Sequence, residues 1–221
     1  MPSSTPGTPP VPPRASFDSA YETGVPPWVI GEPQPAVVEL ERSGAVRGAV
    51  LDPGCGTGEH TILLTRLGYD VLGADFAPHA IQQARANAER QGVAARFAAA
   101  DALRLAEELG EDRFDTVVDS ALFHVFGPED RAAYVRSLHA VTRPAAVVHI
   151  LALADTEPGF GPRIAESVLR DAFTEAAGWR LEGISATTYG GRVPAGHAEA
   201  LGLAPGSRTD VPAWLATAHR I

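Results

Sequence analysis

Short apolar runs alternate along this chain with segments whose apolar residues recur every three or four positions. The runs contain few polar residues, as is typical of parallel strands that are buried on both faces. They predict strands at residues 49–52, 70–75, 96–101, 114–120 and 146–153. The helical spacing predicts helices at residues 59–67, 78–91, 129–142 and 164–177. This alternation is typical of a doubly wound α/β fold with a parallel sheet.

The pattern changes near the C-terminus. Residues 179–189 and 213–221 are predicted to be strands, and only the glycine- and proline-rich residues 190–212 separate them. Two strands without a crossover helix are expected to be antiparallel neighbours at a sheet edge. We therefore predict a mostly parallel, seven-stranded sheet with an antiparallel C-terminal strand pair. Residues 16–221 are expected to form a single domain after a disordered, proline-rich tail over residues 1–15.

The composition narrows the setting of this domain. Hydrophobic residues make up 45% of the chain and charged residues 20%, which is typical of a soluble globular protein. A net charge of −9 argues against nucleic acid or an anionic membrane as partner. Cys55 is the only cysteine, and the first residues lack the pattern of a signal peptide. We therefore expect a cytoplasmic protein without a disulfide.

A glycine-rich turn follows the first predicted strand. Residues 49–60 read AVLDPGCGTGEH, which places Gly54, Gly56 and Gly58 shortly after Asp52. Their spacing differs from the dinucleotide fingerprint G-x-G-x-x-G, in which a helix N-terminus binds a pyrophosphate. The turn therefore favours a nucleoside cofactor that is uncharged or cationic.

Four of the predicted strands end at or near a carboxylate. These residues are Asp52, Asp75, Asp101 and Asp119. Ligands of doubly wound sheets bind just beyond such strand ends. Asp75 lies 21 residues after Gly54, where a carboxylate can reach a ribose hydroxyl pair, both in NAD and in an adenosine cofactor. A crevice of carboxylates attracts a cation and repels phosphates.

The motifs together resemble a known family. VLDPGCGTG, GADF, ADAL and FDTVVDS, in this order and spacing, resemble the motifs of class I S-adenosylmethionine-dependent methyltransferases over residues 35–154. PPWVIGEPQP and DSALFHVF are similar to small-molecule members that act on thiopurines, thiols and halides, or small aromatic hydroxyls. The resemblance implies a Rossmann-like fold, S-adenosylmethionine as cofactor, S-adenosylhomocysteine as product and a small-molecule acceptor. The chain departs from the family at two places. Pro53 stands where a small or branched apolar residue is more common, and Pro144, Ala145 and Ala146 replace the usual proline-glycine-glycine turn.

The resemblance also implies a cofactor site. In it, Asp75 would hold the ribose hydroxyls, and Phe76 would lie against the adenine ring. Asp101 would accept from the adenine amino group, whereas Asp119 and Ser120 would lie near the methionyl amine and the departing sulfur. The full set is Asp52, Gly54, Gly56, Gly58, Asp75, Phe76, Asp101, Ala102, Asp119 and Ser120.

Histidines are the candidate bases on the acceptor side. A thiol or an acidic hydroxyl reaches a site nearly ionised, whereas a less acidic hydroxyl needs a base. His124, four residues past Ser120, is the catalytic candidate by position, and a structural bond to the backbone fits it equally. His60 and His197 either face the acceptor or lie at the surface. No histidine pair has the spacing of a metal site, so no metal is predicted.

Aromatic residues indicate how the site is covered. Residues 16–34 are predicted to form a lid whose Tyr21 and Trp28 close over cofactor and acceptor; the alternative is a packed N-terminal arm. Phe123 and Phe126 either line the acceptor pocket or belong to the core. We expect methyl transfer to a heteroatom of a small aromatic molecule, with oxygen preferred to nitrogen or sulfur. The alternatives are an NAD(P)-dependent oxidoreductase and a protein that binds S-adenosylmethionine without catalysis.

Overall fold

The computed structural model describes residues 14–24 and 26–221. The strands are β1 (Ala49–Pro53), β2 (Asp70–Asp75), β3 (Arg96–Ala99), β4 (Phe114–Ser120), β5 (Thr142–Leu153), β6 (Trp179–Arg192) and β7 (Arg208–Arg220). The α-helices are α1 (Arg14–Thr23), α2 (Pro35–Arg42), α3 (Glu59–Arg66), α4 (Pro78–Arg90), α5 (Leu105–Leu109), α6 (Pro128–Val141), α7 (Glu166–Ala172) and α8 (Ala198–Leu201). The predicted tail, residues 1–15, lies outside the described residues except for its last two, which begin α1.

The strands form one sheet in the order β3-β2-β1-β4-β5-β7-β6. The five strands from β3 to β5 pair in parallel. β7 is antiparallel to both β5 and β6, which makes β6 an edge strand. The predicted seven-stranded, mostly parallel sheet with an antiparallel C-terminal pair is therefore confirmed. The strand order reverses between β1 and β4, and ligands of doubly wound sheets bind beyond the strand ends at such a point.

Helices cover both faces of the sheet. On one face, Leu40 of α2 and Leu64 of α3 pack with Val50 of β1. On the other face, Leu138 of α6 belongs to the same buried cluster as Trp179 at the start of β6. Because both faces are covered, the central strands are apolar without interruption, which is the pattern that located them in the sequence.

Several elements differ from the sequence predictions. The helices α1, α2 and α5 were not predicted, β5 begins four residues earlier than expected, and the helix predicted at residues 164–177 is the shorter α7. Residues 14–23 form α1, although the sequence predicted no helix there. Prolines are frequent on either side of this segment. The last two strands are longer than predicted, since β6 continues to Arg192 and β7 begins at Arg208. The connection between them holds a 3₁₀ turn and the four-residue α8, but no crossover helix. None of the described helices is long and apolar enough to cross a membrane.

The start of β5 contains an alanine in an unusual conformation. Ala145 has a φ of +63°, in the left-handed region that glycine adopts more readily. A side chain in this conformation costs roughly 1–2 kcal/mol. The Pro144-Ala145-Ala146 segment therefore places a strained alanine where the sequence comparison with the family expected glycine.

Candidate active site

The turn between β1 and α3 brings the backbone close to the N-terminal segment. Gly54, Gly56 and Gly58 have φ values of +68°, +52° and +86°. A Cβ atom on Gly56 would lie 2.7 Å from the hydroxyl of Tyr21, which comes from α1. Glycine is thus required here both by the backbone conformation and by the close approach of another element.

Asp75, at the end of β2, fixes the second side of the site. Its Oδ2 accepts from the backbone N–H of Gly56 at 3.0 Å, and its Oδ1 accepts from that of Ala77 at 2.9 Å. Burial raises the pKa of this carboxyl above its usual value. Each oxygen keeps a further lone pair, so the carboxylate can still accept from a ligand in the cavity it lines.

The end of β4 supplies one buried carboxylate and one cavity hydroxyl. Asp119 is fully buried, and it accepts from the backbone N–H groups of Leu122 and Phe123 and from the Tyr134 hydroxyl. It holds the turn after β4 and is not part of the cavity wall. Ser120 lines the cavity, and its buried hydroxyl has no hydrogen-bond partner among the described residues.

Asp52 and Asp101 are not among the residues that line the cavity. Asp52 is buried and accepts from the backbone N–H of Thr61 at 3.1 Å and from its hydroxyl at 2.6 Å, which ties β1 to α3. Asp101 accepts from the backbone N–H of Leu103 at 2.9 Å and caps a 3₁₀ turn. The neighbouring Ala102 does line the cavity. Both carboxylates therefore hold backbone turns around the site.

Gly54, Asp75, Ala102 and Ser120 are among the residues that border a cavity of about 690 Å³. One half lies over the strand ends, between the glycine turn, Asp75, Phe76 and Ser120. The other half is an apolar space that we call the aromatic chamber; its walls include Phe17, Trp28, Phe126, Leu153, Phe160 and Tyr189. The volume is within the ~300–1,000 Å³ that is typical of small-molecule sites.

The N-terminal segment lines the cavity and is bonded to α4. The Tyr21 hydroxyl accepts from Trp28 Nε1 at 2.8 Å, and the Tyr21 carbonyl accepts from Gln83 of α4 at 2.7 Å. Asp18 of α1 accepts from the backbone N–H of His79 at 3.1 Å. The position agrees with the predicted lid, whose opening and closing stays a prediction.

The three candidate histidines lie in different surroundings. His60 Nε2 accepts from the backbone N–H of Gln34 at 3.1 Å, and burial lowers its pKa to about 4. It is not in the cavity wall. His197 lines the cavity mouth, is exposed, and packs edge-on to Phe160 at 6.2 Å between ring centres. His124 is buried in the wall, where its Nδ1 accepts from the backbone N–H of Leu153 at 3.2 Å.

Several wall residues carried no recognisable signal in the sequence. Phe160 and Tyr189 reach the chamber from distant segments. Of the two phenylalanines that the sequence left open between pocket and core, Phe126 lines the chamber. Phe123 is fully buried in the core between Tyr134 and Phe173. An aromatic residue in an irregular segment shows no period, so only the folded chain reveals which of them meet.

The half over the strand ends fits the expected adenosyl cofactor. Gly54 of the glycine turn lines this half without a side chain, and Asp75 offers free lone pairs for a hydroxyl pair. Phe76 supplies an aromatic ring at the same wall, and the Ser120 hydroxyl, which has no hydrogen-bond partner among the described residues, can bond to a ligand. Together these donors and acceptors suit a ribose, a purine and a polar amino-acid end.

Comparisons with known proteins agree with this reading of the site. A family model described as a methyltransferase domain matches residues 50–145. The 2-heptyl-1-hydroxyquinolin-4(1H)-one methyltransferase of Mycobacteroides abscessus is 36% identical over 182 residues, which cover 76% of this chain and 78% of that protein. Thiocyanate methyltransferase 1 of Brassica oleracea is 26% identical over 184 residues, which cover 80% and 78% of the two chains.

Solved structures extend the similarity to nearly the whole chain. A protein from work on the conversion of a disulfide bond into a thioacetal group during echinomycin biosynthesis is 39% identical, with a TM-score of 0.80 over 93% of this chain and 92% of that one. The 1,6-didemethyltoxoflavin-N1-methyltransferase of Burkholderia thailandensis, solved with S-adenosylhomocysteine, shares the fold at 24% identity, with a TM-score of 0.67 over 94% and 86% of the two chains.

Proposed function

This chain belongs to the class I S-adenosylmethionine-dependent methyltransferases, and we propose that it methylates an oxygen atom of a small, flat aromatic molecule. Members of this family use S-adenosylmethionine as cofactor and catalyse methyl transfer. The two alternatives, an NAD(P)-dependent oxidoreductase and a protein that binds S-adenosylmethionine without catalysis, are therefore rejected. The aromatic chamber beside Ser120 is the observation that carries the acceptor class.

The cofactor half of the cavity acts by holding and orienting. When bound, S-adenosylmethionine supplies a methyl group on a sulfonium; a heteroatom's electron pair forms the new bond to carbon, and the electrons of the broken carbon–sulfur bond stay on sulfur. Asp75 accepts from the ribose hydroxyls with the lone pairs that Gly56 and Ala77 leave free. Ser120 donates its hydroxyl at the methionyl end. Asp52, Asp101 and Asp119 contribute by fixing the turns that carry these groups.

The aromatic chamber positions the acceptor. Its walls bury a flat ring between aromatic and aliphatic side chains, at ~25 cal/mol for each Å² of apolar surface removed from water. In-line displacement depends on holding the nucleophile at near-attack distance, so orientation by rigid aromatic walls supplies much of the catalysis. The covering segment with Trp28 excludes water from the same space.

Oxygen is our first choice among the heteroatoms. The Mycobacteroides abscessus relative is named for a 1-hydroxyquinolone, a flat bicyclic molecule with an acidic N-hydroxyl group. Sulfur is the second choice, because thiocyanate methyltransferase 1 and the echinomycin-related structure involve sulfur compounds. The chamber has room for an oxygen or a sulfur nucleophile, and in both cases the acceptor needs a flat ring that packs against the chamber walls.

The direct test offers three acceptors to the purified protein with S-adenosylmethionine. They are 1-hydroxyquinolin-4(1H)-one, quinolin-4(1H)-one without the N-hydroxyl group, and an aryl thiol. We expect S-adenosylhomocysteine and an O-methyl product from the first compound, identified by mass spectrometry and by the methyl proton shift in NMR. Methylation of the thiol alone would make oxygen the wrong choice, and no product from any of them would reject the acceptor class.

A matched pair of variants links activity to the chamber. Phe160→Leu changes a chamber wall, whereas Phe173→Leu changes a buried phenylalanine in the core. We expect a higher acceptor KM for Phe160→Leu, with the affinity for S-adenosylhomocysteine unchanged. Phe173→Leu should lower stability and leave the KM of the folded enzyme as it is.

A further inference from the structure

His124 is the one candidate base that the structure buries in the wall of the chamber. It follows β4 in a short 3₁₀ turn, and its Nδ1 faces the backbone N–H of Leu153 at 3.2 Å. A backbone N–H can only donate, so Nδ1 carries the lone pair of this bond and no proton. A neutral imidazole has one ring proton, which must then sit on Nε2. Within the described chain, Nε2 has no recorded partner, and the ring lines the cavity.

The surroundings keep His124 in this form. Burial, and to a lesser degree the charge of Arg131, lower its pKa to about 3, so the ring is neutral at physiological pH. Removing a proton from an acceptor would need a free lone pair, yet Nε2 is already protonated. Moving that proton to Nδ1 would leave the buried N–H of Leu153 without its acceptor, at a cost of about 1–3 kcal/mol.

The other charged and titratable groups at the chamber do not replace it as an inner base. Asp75 is bonded to the glycine turn and to Ala77, and the proposed ribose contacts use its remaining lone pairs. Burial raises the pKa values of Tyr21 and Tyr189, which stay protonated. Asp130 and His197 are exposed at the rim. This leaves the inner wall with donors and no base.

Arg131, on the first turns of α6, adds positive charge behind His124. Its guanidinium lies 5.9 Å from the centre of the Phe123 ring, and its buried Nε has no hydrogen-bond partner in the part of the chain that the structure describes. Positive charge next to an N–H donor stabilises a negative charge on a bound molecule.

We propose that His124 is a specificity-determining donor, whose Nε2–H binds acceptors that enter the chamber as anions. The acceptor class is an acidic hydroxyl or thiol conjugated to a flat ring, so that its negative charge reaches an atom bound by His124. The acceptor's proton goes to water before binding, and the anion then supplies the electron pair for methyl transfer. This inference rests on the proposed function and names its acceptor class more closely.

The first experiment measures acceptor binding in enzyme saturated with S-adenosylhomocysteine, where no turnover occurs. Two similar hydroxyquinolines are compared, one of them halogenated so that its hydroxyl is more acidic. We expect the bound absorption spectrum to be that of the anion, and the pH at which affinity is lost to follow each compound's own pKa. The same midpoint for both, or a neutral bound spectrum, would overturn the proposal and indicate a base on the enzyme.

Variants separate a donor from a base. His124→Leu removes the donor and should weaken anion binding about tenfold or more, with S-adenosylhomocysteine affinity unchanged. His124→Gln restores an N–H group without a titrating base and should recover most of that affinity. The control, His60→Gln, changes a partly buried histidine outside the cavity and should leave acceptor binding intact. Equal losses in the Leu and Gln variants would contradict the donor role.

A direct readout on the wild-type enzyme covers the case in which these variants fail to fold. The ¹⁵N shifts of the His124 ring should show the Nε2–H tautomer, and an Nδ1–H tautomer would refute the proposal. Failure of the proposed function looks different: anions then bind as expected, but none of them is methylated. Methylation of acceptors that bind only when neutral would keep the function and reject the donor.

Discussion

Asp75 combines two tasks in one carboxylate, since it ties the glycine turn to the start of α4 and faces the ligand cavity. We expect Asp75→Ala to weaken S-adenosylhomocysteine binding by more than tenfold. The reason is the loss of hydrogen bonds to a charged group, each worth about 1.5–3 kcal/mol. Titration calorimetry provides the measurement. Asp70→Ala, at the exposed start of the same strand, should bind normally, and unchanged affinity in Asp75→Ala would remove it from the ribose site.

Single residues were predicted from the sequence with uneven success, and strand geometry explains why. The end of β4 was located, but successive side chains of a strand point to opposite faces. Asp119 therefore turns into the core, while Ser120 lines the cavity. A motif marks where a strand ends without telling which of two neighbouring polar residues faces the ligand. Asp75 lines the cavity, as its spacing from the glycine turn led us to expect, and its contact with the ribose stays a prediction.

At the scale of elements, α1 was not predicted from the sequence, yet four of its residues line the cavity: Ser16, Phe17, Ala20 and Tyr21. Deleting residues 1–24 should lower S-adenosylhomocysteine affinity about tenfold, the equivalent of ~1.4 kcal/mol, because Tyr21 and its bonds to Trp28 and Gln83 are lost. The matched deletion of residues 1–13 should bind like the full chain, since α1 stays in place. Both affinities are measured by calorimetry on proteins whose urea unfolding is cooperative. Normal binding by the shorter protein would make this segment a packed arm.

The elements that the sequence did predict are those with a repeating environment. The parallel strands are covered on both faces, so an apolar run suffices to find them, and α4 and α6 carry regular apolar spacing. The aromatic chamber has no such repeat. Phe160 and Tyr189 meet Trp28 only because the long β6–β7 pair folds back beside the N-terminal segment. Contacts between irregular segments so far apart in the chain depend on the whole sheet.

At the scale of the whole molecule, four buried ionisable groups give stability two opposing dependences on pH. Burial raises the pKa of Asp52 and Asp119 to about 7, so the native state holds protons that the unfolded chain releases. Their contribution falls as the pH rises from about 4 through 7. His60 and His124 have pKa values lowered to about 4 and about 3, so their contribution rises with pH from these values up to about 6.5, the usual pKa of histidine. Above the usual pKa of histidine, only the carboxyl effect continues.

Asp119→Asn isolates the carboxyl effect on global stability. The variant replaces Oδ2, which accepts from the Tyr134 hydroxyl and the Phe123 N–H, with an NH₂ group that can only donate. It should therefore be less stable than the wild type at pH 5, where native Asp119 is protonated. At pH 8 the wild type must bury a charge that asparagine lacks. The difference between the two free energies of unfolding should therefore shrink by on the order of 2–3 kcal/mol between these pH values. Urea unfolding at both pH values provides the measurement, and a constant difference would mean that Asp119 is ionised in the native protein throughout.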